Sequence, residues 1–317
     1  MPPGGFIPPP PTSGPPGPAP PPPPSPPPGQ QPPAGYAAWT AAQPGPGRFR
    51  PQALGELLDS AFTLYRRNFI LIAAIAAVVE IPAGALQYVF LQGATVDAGR
   101  APSNGLVVGV VGVGILQFLL IQPLVQAAMT RAVSDRYLDR PVTVGTSYRS
   151  AWLRLRSLIA MSLEQTLLLL ALLAPILVLT LVVGPAALVL LAVAVPAAIW
   201  GAVRLSFASP IIVIESLSGW NGLKRSWRLI AGSWWRIFGI LLLVTIMVAI
   251  MGSTINGMLS LPALAIPDPG KLVYTSVIGA VVNVFVTPIR LIVVTLLYYD
   301  LRIRREAFDI EMLAASL

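Results

Sequence analysis

The chain has 317 residues, 55% of them hydrophobic and only 11% charged, and its mean hydropathy of +0.73 exceeds what a soluble domain tolerates. It contains neither cysteine nor histidine, which excludes disulfides, thiolate nucleophiles, imidazole bases, Ser/His triads and the usual zinc or haem ligands. The net charge of +8 is carried beside apolar runs, where anionic lipid headgroups account for it, so no nucleic-acid partner is expected.

Met1 to Gly47 carries no charged residue and 21 of the 34 prolines, a composition that cannot pack a core. Residues 1–50 are therefore expected to form a disordered proline-rich tail. Its polyproline II stretches and flexible Gly joints would reach ~100 Å at ~3 Å per residue. Two roles are open: an arm that docks a proline-recognising cytoplasmic protein, anchored by Tyr36 and Trp39, or a solvated spacer. No basic start followed by an apolar run precedes Arg48, so the tail is expected to stay in the cytoplasm with the N-terminus.

Residues 51–317 are expected to be an all-α integral membrane domain with six spans. Apolar runs of about 20 residues occupy 69–90, 106–129, 237–259 and 272–299. A longer run, 158–203, is broken by Gly184-Pro185 and reads as a hairpin of two spans. Apart from Arg290 inside a span, the Lys and Arg residues crowd every second gap, while Arg100 and Lys271 stand alone in the other set. The positive-inside bias then puts both termini in the cytoplasm. The preference for Arg, nineteen against two Lys, hints at a GC-rich bacterial genome, so a bacterial plasma membrane is expected.

Each odd-numbered span follows a segment with apolar residues at helical spacing and basic residues on its other faces, the pattern of an interfacial helix. The three segments share a small-plus-aromatic step: Ser60-Ala61-Phe62, Ser150-Ala151-Trp152 and Arg225-Ser226-Trp227. A threefold repeat of one interfacial helix plus one hairpin is one reading, and chance matching of short steps is the other.

Polar residues inside spans stand out, because a charge at mid-bilayer costs at least ~3 kcal/mol unless paired or hydrated. Glu80 lies ~18 Å above Asn68, and Arg290 lies ~15 Å from Asp300 in a helix running the other way, at ~1.5 Å per residue. The two are expected to face each other or share a polar cavity. Pro82 and Pro288 stand beside them to kink the helices. Gln117, Gln122 and Gln126 recur near helical spacing and would line the same interior or hydrogen-bond between helices. Glu164 and Glu215, nearer the cytoplasmic edge, are expected to pair with Arg154, Arg156, Arg204 or Lys224. Asn256 and Asn283 are too isolated to interpret.

Three stretches carry a family resemblance: Leu54-Gly55-Glu56-Leu57-Leu58-Asp59 leading to Tyr65-Arg66-Arg67-Asn68-Phe69, then Lys224-Arg225-Ser226-Trp227-Arg228-Leu229, then Tyr298-Tyr299-Asp300-Leu301-Arg302-Ile303-Arg304-Arg305-Glu306. From about Arg50 to Leu313 the chain resembles the membrane domain that precedes the catalytic domain of some bacterial glycerophosphodiester phosphodiesterases, in the free-standing form typical of actinobacteria. The family's enzymes hydrolyse glycerophosphodiesters in a separate barrel domain with histidine, carboxylates and a divalent metal. The resemblance therefore implies the membrane domain and not that activity.

The residues leave three classes of function. A non-catalytic membrane scaffold or regulator fits the tail, the interfacial helices and the scarcity of catalytic side chains. A transporter, channel or lipid-handling protein fits the intramembrane charges and Pro-broken spans. An intramembrane enzyme would need a second acid at the depth of Glu80, and none is predicted. No catalytic residue, metal ligand or cofactor site is assigned. The expected partners are the bilayer and a cytoplasmic protein held by the tail.

Overall fold

The structure, a computed structural model, describes residues 52–96, 104–267 and 270–306. The expected proline-rich tail and the turn carrying Arg100 lie outside them. The described residues all belong to one compact unit, Pro51–Leu317, and form helices and short joints, with no strand among them.

Helix α1 (Leu54–Arg67) opens with the Ala53 N–H donating to the Glu56 carboxylate at 3.1 Å, which satisfies an otherwise orphaned donor. Asn68 interrupts it, its side-chain amide donating to the Leu64 carbonyl at 3.0 Å, and the span α2 (Phe69–Val96) follows at once. Helix α3 (Asn104–Leu116) runs into α4 (Gln122–Tyr137) through one wide π turn, Gln117–Ile121. Pro123, which can neither donate to the helix ladder nor sit under a carbonyl four residues back, explains why the helix widens there.

Helix α5 (Val144–Leu153) is capped by Thr143 and Thr146, each hydroxyl accepting the other's backbone N–H at 3.2 and 3.0 Å, and leads across Arg154 into α6 (Leu155–Val183). Gly184, at φ +83°, turns the chain as the composition predicts, because a side chain is strained at that angle. A short 3-10 stretch and α7 (Leu191–Leu205) complete the hairpin.

The buried helix α8 (Ala208–Glu215) then leads to α9 (Gly219–Ile230), α10 (Trp234–Ser260) and α11 (Gly270–Glu306). Six stretches are long and apolar enough to cross a bilayer, within 69–86, 111–137, 155–183, 186–215, 234–265 and 270–306. These are the expected spans, and the fold is an all-α, six-span one.

Helix α11 is the axis of the molecule and packs against α1, α2, α4, α9 and α10. Its 37 residues extend ~55 Å against a hydrocarbon layer of ~30 Å, so its last turns project past the apolar layer. There they are sheathed by protein, with Tyr298, Tyr299, Asp300 and Leu301 all buried. The densest core thus lies at the arginine-rich end, here called the basic end, where α1, α4 and α9 pack against α11. Many large apolar side chains of α6 and α7 are exposed, Leu181 at 81% for example, as bilayer contact requires.

The three small-plus-aromatic steps share one environment. Ala61, Ala151 and Ser226 are buried, at 2%, 0% and 0% exposure, while Phe62, Trp152 and Trp227 remain exposed. The small residue lets each interfacial helix lie against the core, and the aromatic takes the headgroup level. Trp152, Trp200, Trp220, Trp227, Trp234 and Trp235 all lie toward the basic end, the girdle expected where a bilayer meets water.

Candidate functional site

Helices α2 and α11 cross at Gly84, where a methyl group would stand 2.6 Å from the Cβ of Ala280. This small-residue contact sets the antiparallel register of the pair. Around it Glu80, Gln117, Thr275, Ser276 and Asn283 line a polar cavity of about 280 Å³. Its lining runs along α11 from Leu272, near the start of that helix, to Asn283 at the level of Glu80, so the cavity, here called the vestibule, lies in the half of the span region away from the basic clusters.

Glu80 is only 8% exposed and is in hydrogen-bonding reach of the Thr287 side chain. From the basic side Tyr148 of α5 approaches, its hydroxyl donating to the Ile75 carbonyl at 2.6 Å. Burial pushes the Tyr148 phenol up to about 12, and the neighbouring Glu80 carboxylate adds to the shift.

The expected meeting of Glu80 and Arg290 is not found: the described residues contain no ion pair between them, and Arg290 is exposed and does not line the vestibule. Register is the reason. With Gly84 opposite Ala280, Glu80 falls opposite residues near 284, and Arg290 is ~9 Å further toward the basic end at ~1.5 Å per residue. Gln117 does share the cavity with Glu80. Gln122 and Gln126 are half-buried and do not line it.

Thr275 and Ser276 escape the sequence reading, and Asn283, too isolated to interpret in the sequence, joins them in the lining. Ser276, Ala280, Asn283 and Thr287 recur every three or four residues on one face of span six, a small-and-polar stripe that a search for charges alone overlooks.

The basic end is organised by the three motifs. Asp300 accepts from the Gln52 backbone N–H at 2.7 Å and from Arg236 and Arg304 at 2.8 and 3.0 Å, and both arginines also donate to the Gln52 carbonyl. Tyr299 shares a hydrogen bond of 2.6 Å with Ser134. Glu215 accepts from Arg225 at 3.0 Å and from the Tyr298 hydroxyl at 2.8 Å, and Arg225 also reaches Glu306 at 2.7 Å. Burial opposes the charge on Arg225, but Glu215 and Glu306 together raise its pKa.

Arg225 is thus the partner of Glu215, not one of the four basic residues expected from sequence. Glu164 gains no cation among the described residues, and its Oε2 is buried without a hydrogen-bond partner. Arg154, one of its expected partners, donates instead to the Ile212 carbonyl and the Ser216 hydroxyl. Beside the Lys224–Leu229 motif, Arg204 lies 5.0 Å from the ring centres of both Trp200 and Trp227. Outside this hub, Asp59, Phe62, Tyr65, Arg66 and Phe69 border an open groove of about 700 Å³ along α1.

These features define a helical multi-pass membrane protein with a polar vestibule in its span region and a polar hub at its basic end. Residues 178–303 match the family described as the membrane domain of glycerophosphoryl diester phosphodiesterase, so the resemblance is shown over that stretch. The match contains the motifs at Lys224–Leu229 and Tyr298–Ile303 and not the one in α1. It is to the membrane domain alone, and among the described residues no group of three or more acidic side chains could hold a metal ion. No curated protein and no solved structure matches the chain.

Proposed function

We propose that the chain is a non-catalytic protein of the bacterial plasma membrane, with cytoplasmic termini, that admits a small polar solute or a lipid headgroup to the vestibule ending at Glu80. The observation that carries this reading is the cavity itself: a buried carboxylate facing 280 Å³ of polar-lined space is costly to maintain in a bilayer unless something polar enters. A purely structural acid would be buried against a cation. The absence of cysteine supplies the test, because Ser276→Cys introduces the sole thiol. In full-length protein in nanodiscs, a small neutral thiol reagent is expected to modify that position far faster than a lipid-facing control such as Leu181→Cys. Equal, negligible modification at both positions would rule the vestibule out.

A scaffold or regulator is the second reading, favoured by the groove along α1 close to the root of the tail. A protein that co-purifies stoichiometrically from native membranes and is lost on deleting residues 1–47 would support it.

A further inference from the structure

We infer that the vestibule binds a primary ammonium group, borne either by a small free amine or by the headgroup of an amino lipid. The inference rests on the vestibule reading above and adds the chemistry of its occupant. Among the described residues Glu80 is the sole charged one lining the cavity, so an anion would meet an uncompensated carboxylate and gain nothing in return. No cation of the chain pairs with Glu80 among the described residues: by the register above Arg290 stands ~9 Å toward the basic end, and Lys271, next to the lining residue Leu272, is exposed and does not itself line the cavity.

The remaining polar lining, Gln117, Thr275, Ser276 and Asn283, offers amide and hydroxyl oxygens that accept hydrogen bonds. An ammonium with three N–H donors uses such acceptors together with the carboxylate. A quaternary ammonium could not donate to them, and recognition of that group calls for aromatic faces, which the lining residues do not include. A divalent ion would be left with excess positive charge by one carboxylate, whereas a monovalent ammonium is neutralised by it. The volume of 280 Å³ equals about nine waters at ~30 Å³ each, room for a small amine with part of its hydration and far more than a bare ion fills.

The test uses the full chain carrying Ser276→Cys in phosphatidylcholine nanodiscs, followed by the rate of thiol modification with a small neutral methanethiosulfonate. Ethylamine is expected to slow that rate, and tetramethylammonium and acetate to leave it unchanged. Nanodiscs containing phosphatidylethanolamine provide the second arm: protection there without added amine assigns the group to a lipid, and protection by ethylamine alone assigns it to a solute. Adding Glu80→Gln is expected to weaken protection by at least about tenfold, the scale of one charge-assisted hydrogen bond.

If that variant does not fold, the charge preference of the unaltered site decides. A cationic aminoethyl reagent should modify Ser276→Cys about tenfold or more faster than an anionic sulfonatoethyl reagent, after correction for their rates with a free thiol. Protection by tetramethylammonium equal to that by ethylamine, protection that survives Glu80→Gln, or no cationic preference would overturn the ammonium assignment while leaving the vestibule in place. Failure of the neutral reagent to reach residue 276 would remove both.

Discussion

Asp300 and Tyr148 show how single side chains govern this molecule. Asp300 is 3% exposed and answers two arginines and a backbone N–H, so Asp300→Ala leaves three donors facing an empty site. Because both arginines are about a third exposed, water recovers part of the loss. A decrease of roughly 2–3 kcal/mol in unfolding free energy is expected from denaturant titration in detergent. Tyr148 governs behaviour in alkali. Its folded pKa of about 12 lies above the ordinary value near 10, so unfolding takes up no extra protons below pH 10. Between pH 10 and 12 the unfolded phenol ionises while the folded one resists, and stability falls by up to about 2–3 kcal/mol. Tyr148→Phe should flatten the thermal midpoint over that window; an unchanged slope would show that the phenol titrates normally. Neither effect is visible in the sequence, since Asp300 and Tyr148 gain their partners, Gln52 and Ile75, across 248 and 73 residues.

Among the elements, the crossing of α2 and α11 is set by a glycine. Gly84→Val would push against the Ala280 backbone and side chain, spread the pair and reshape the vestibule, at a cost of about 1–3 kcal/mol. The expected readout is a lower thermal midpoint together with altered thiol reactivity at Ser276→Cys. The elements themselves were legible in the chain. Apolar runs near 20 residues, the break at Gly184-Pro185 and the three amphipathic segments correspond to helices that formed, because hydrophobic length and breaker residues act locally. What could not be read was the offset between two spans, which depends on a close contact at Gly84 and Ala280 and not on either helix alone. That offset separated Arg290 from Glu80 and brought Asn283 in. The π turn was similarly hidden, although Pro123, two residues past its end, was its local cause.

For the whole molecule, orientation is the first quantity to measure. In intact cells, a membrane-impermeant thiol reagent should modify Leu264→Cys, which is 79% exposed at the end opposite the arginines, and spare Ser218→Cys at the exposed start of α9. The reverse pattern would invert the topology drawn from the positive-inside bias. With the basic end in the cytoplasm, the vestibule would lie in the outer half of the span region. One contact gives this arrangement a mechanical character. Gln52 is the second residue after the charge-poor tail region, and both its backbone groups are gripped by the last turns of α11, whose first turns form the wall of the vestibule. Tail root and vestibule wall are therefore two ends of one continuous helical rod, with Pro288 inside it. Tension applied near residue 52 is delivered along that rod, and anything that wedges the far end apart is felt at the near one, a reciprocity that thermodynamic linkage requires of any two loads on a shared lever.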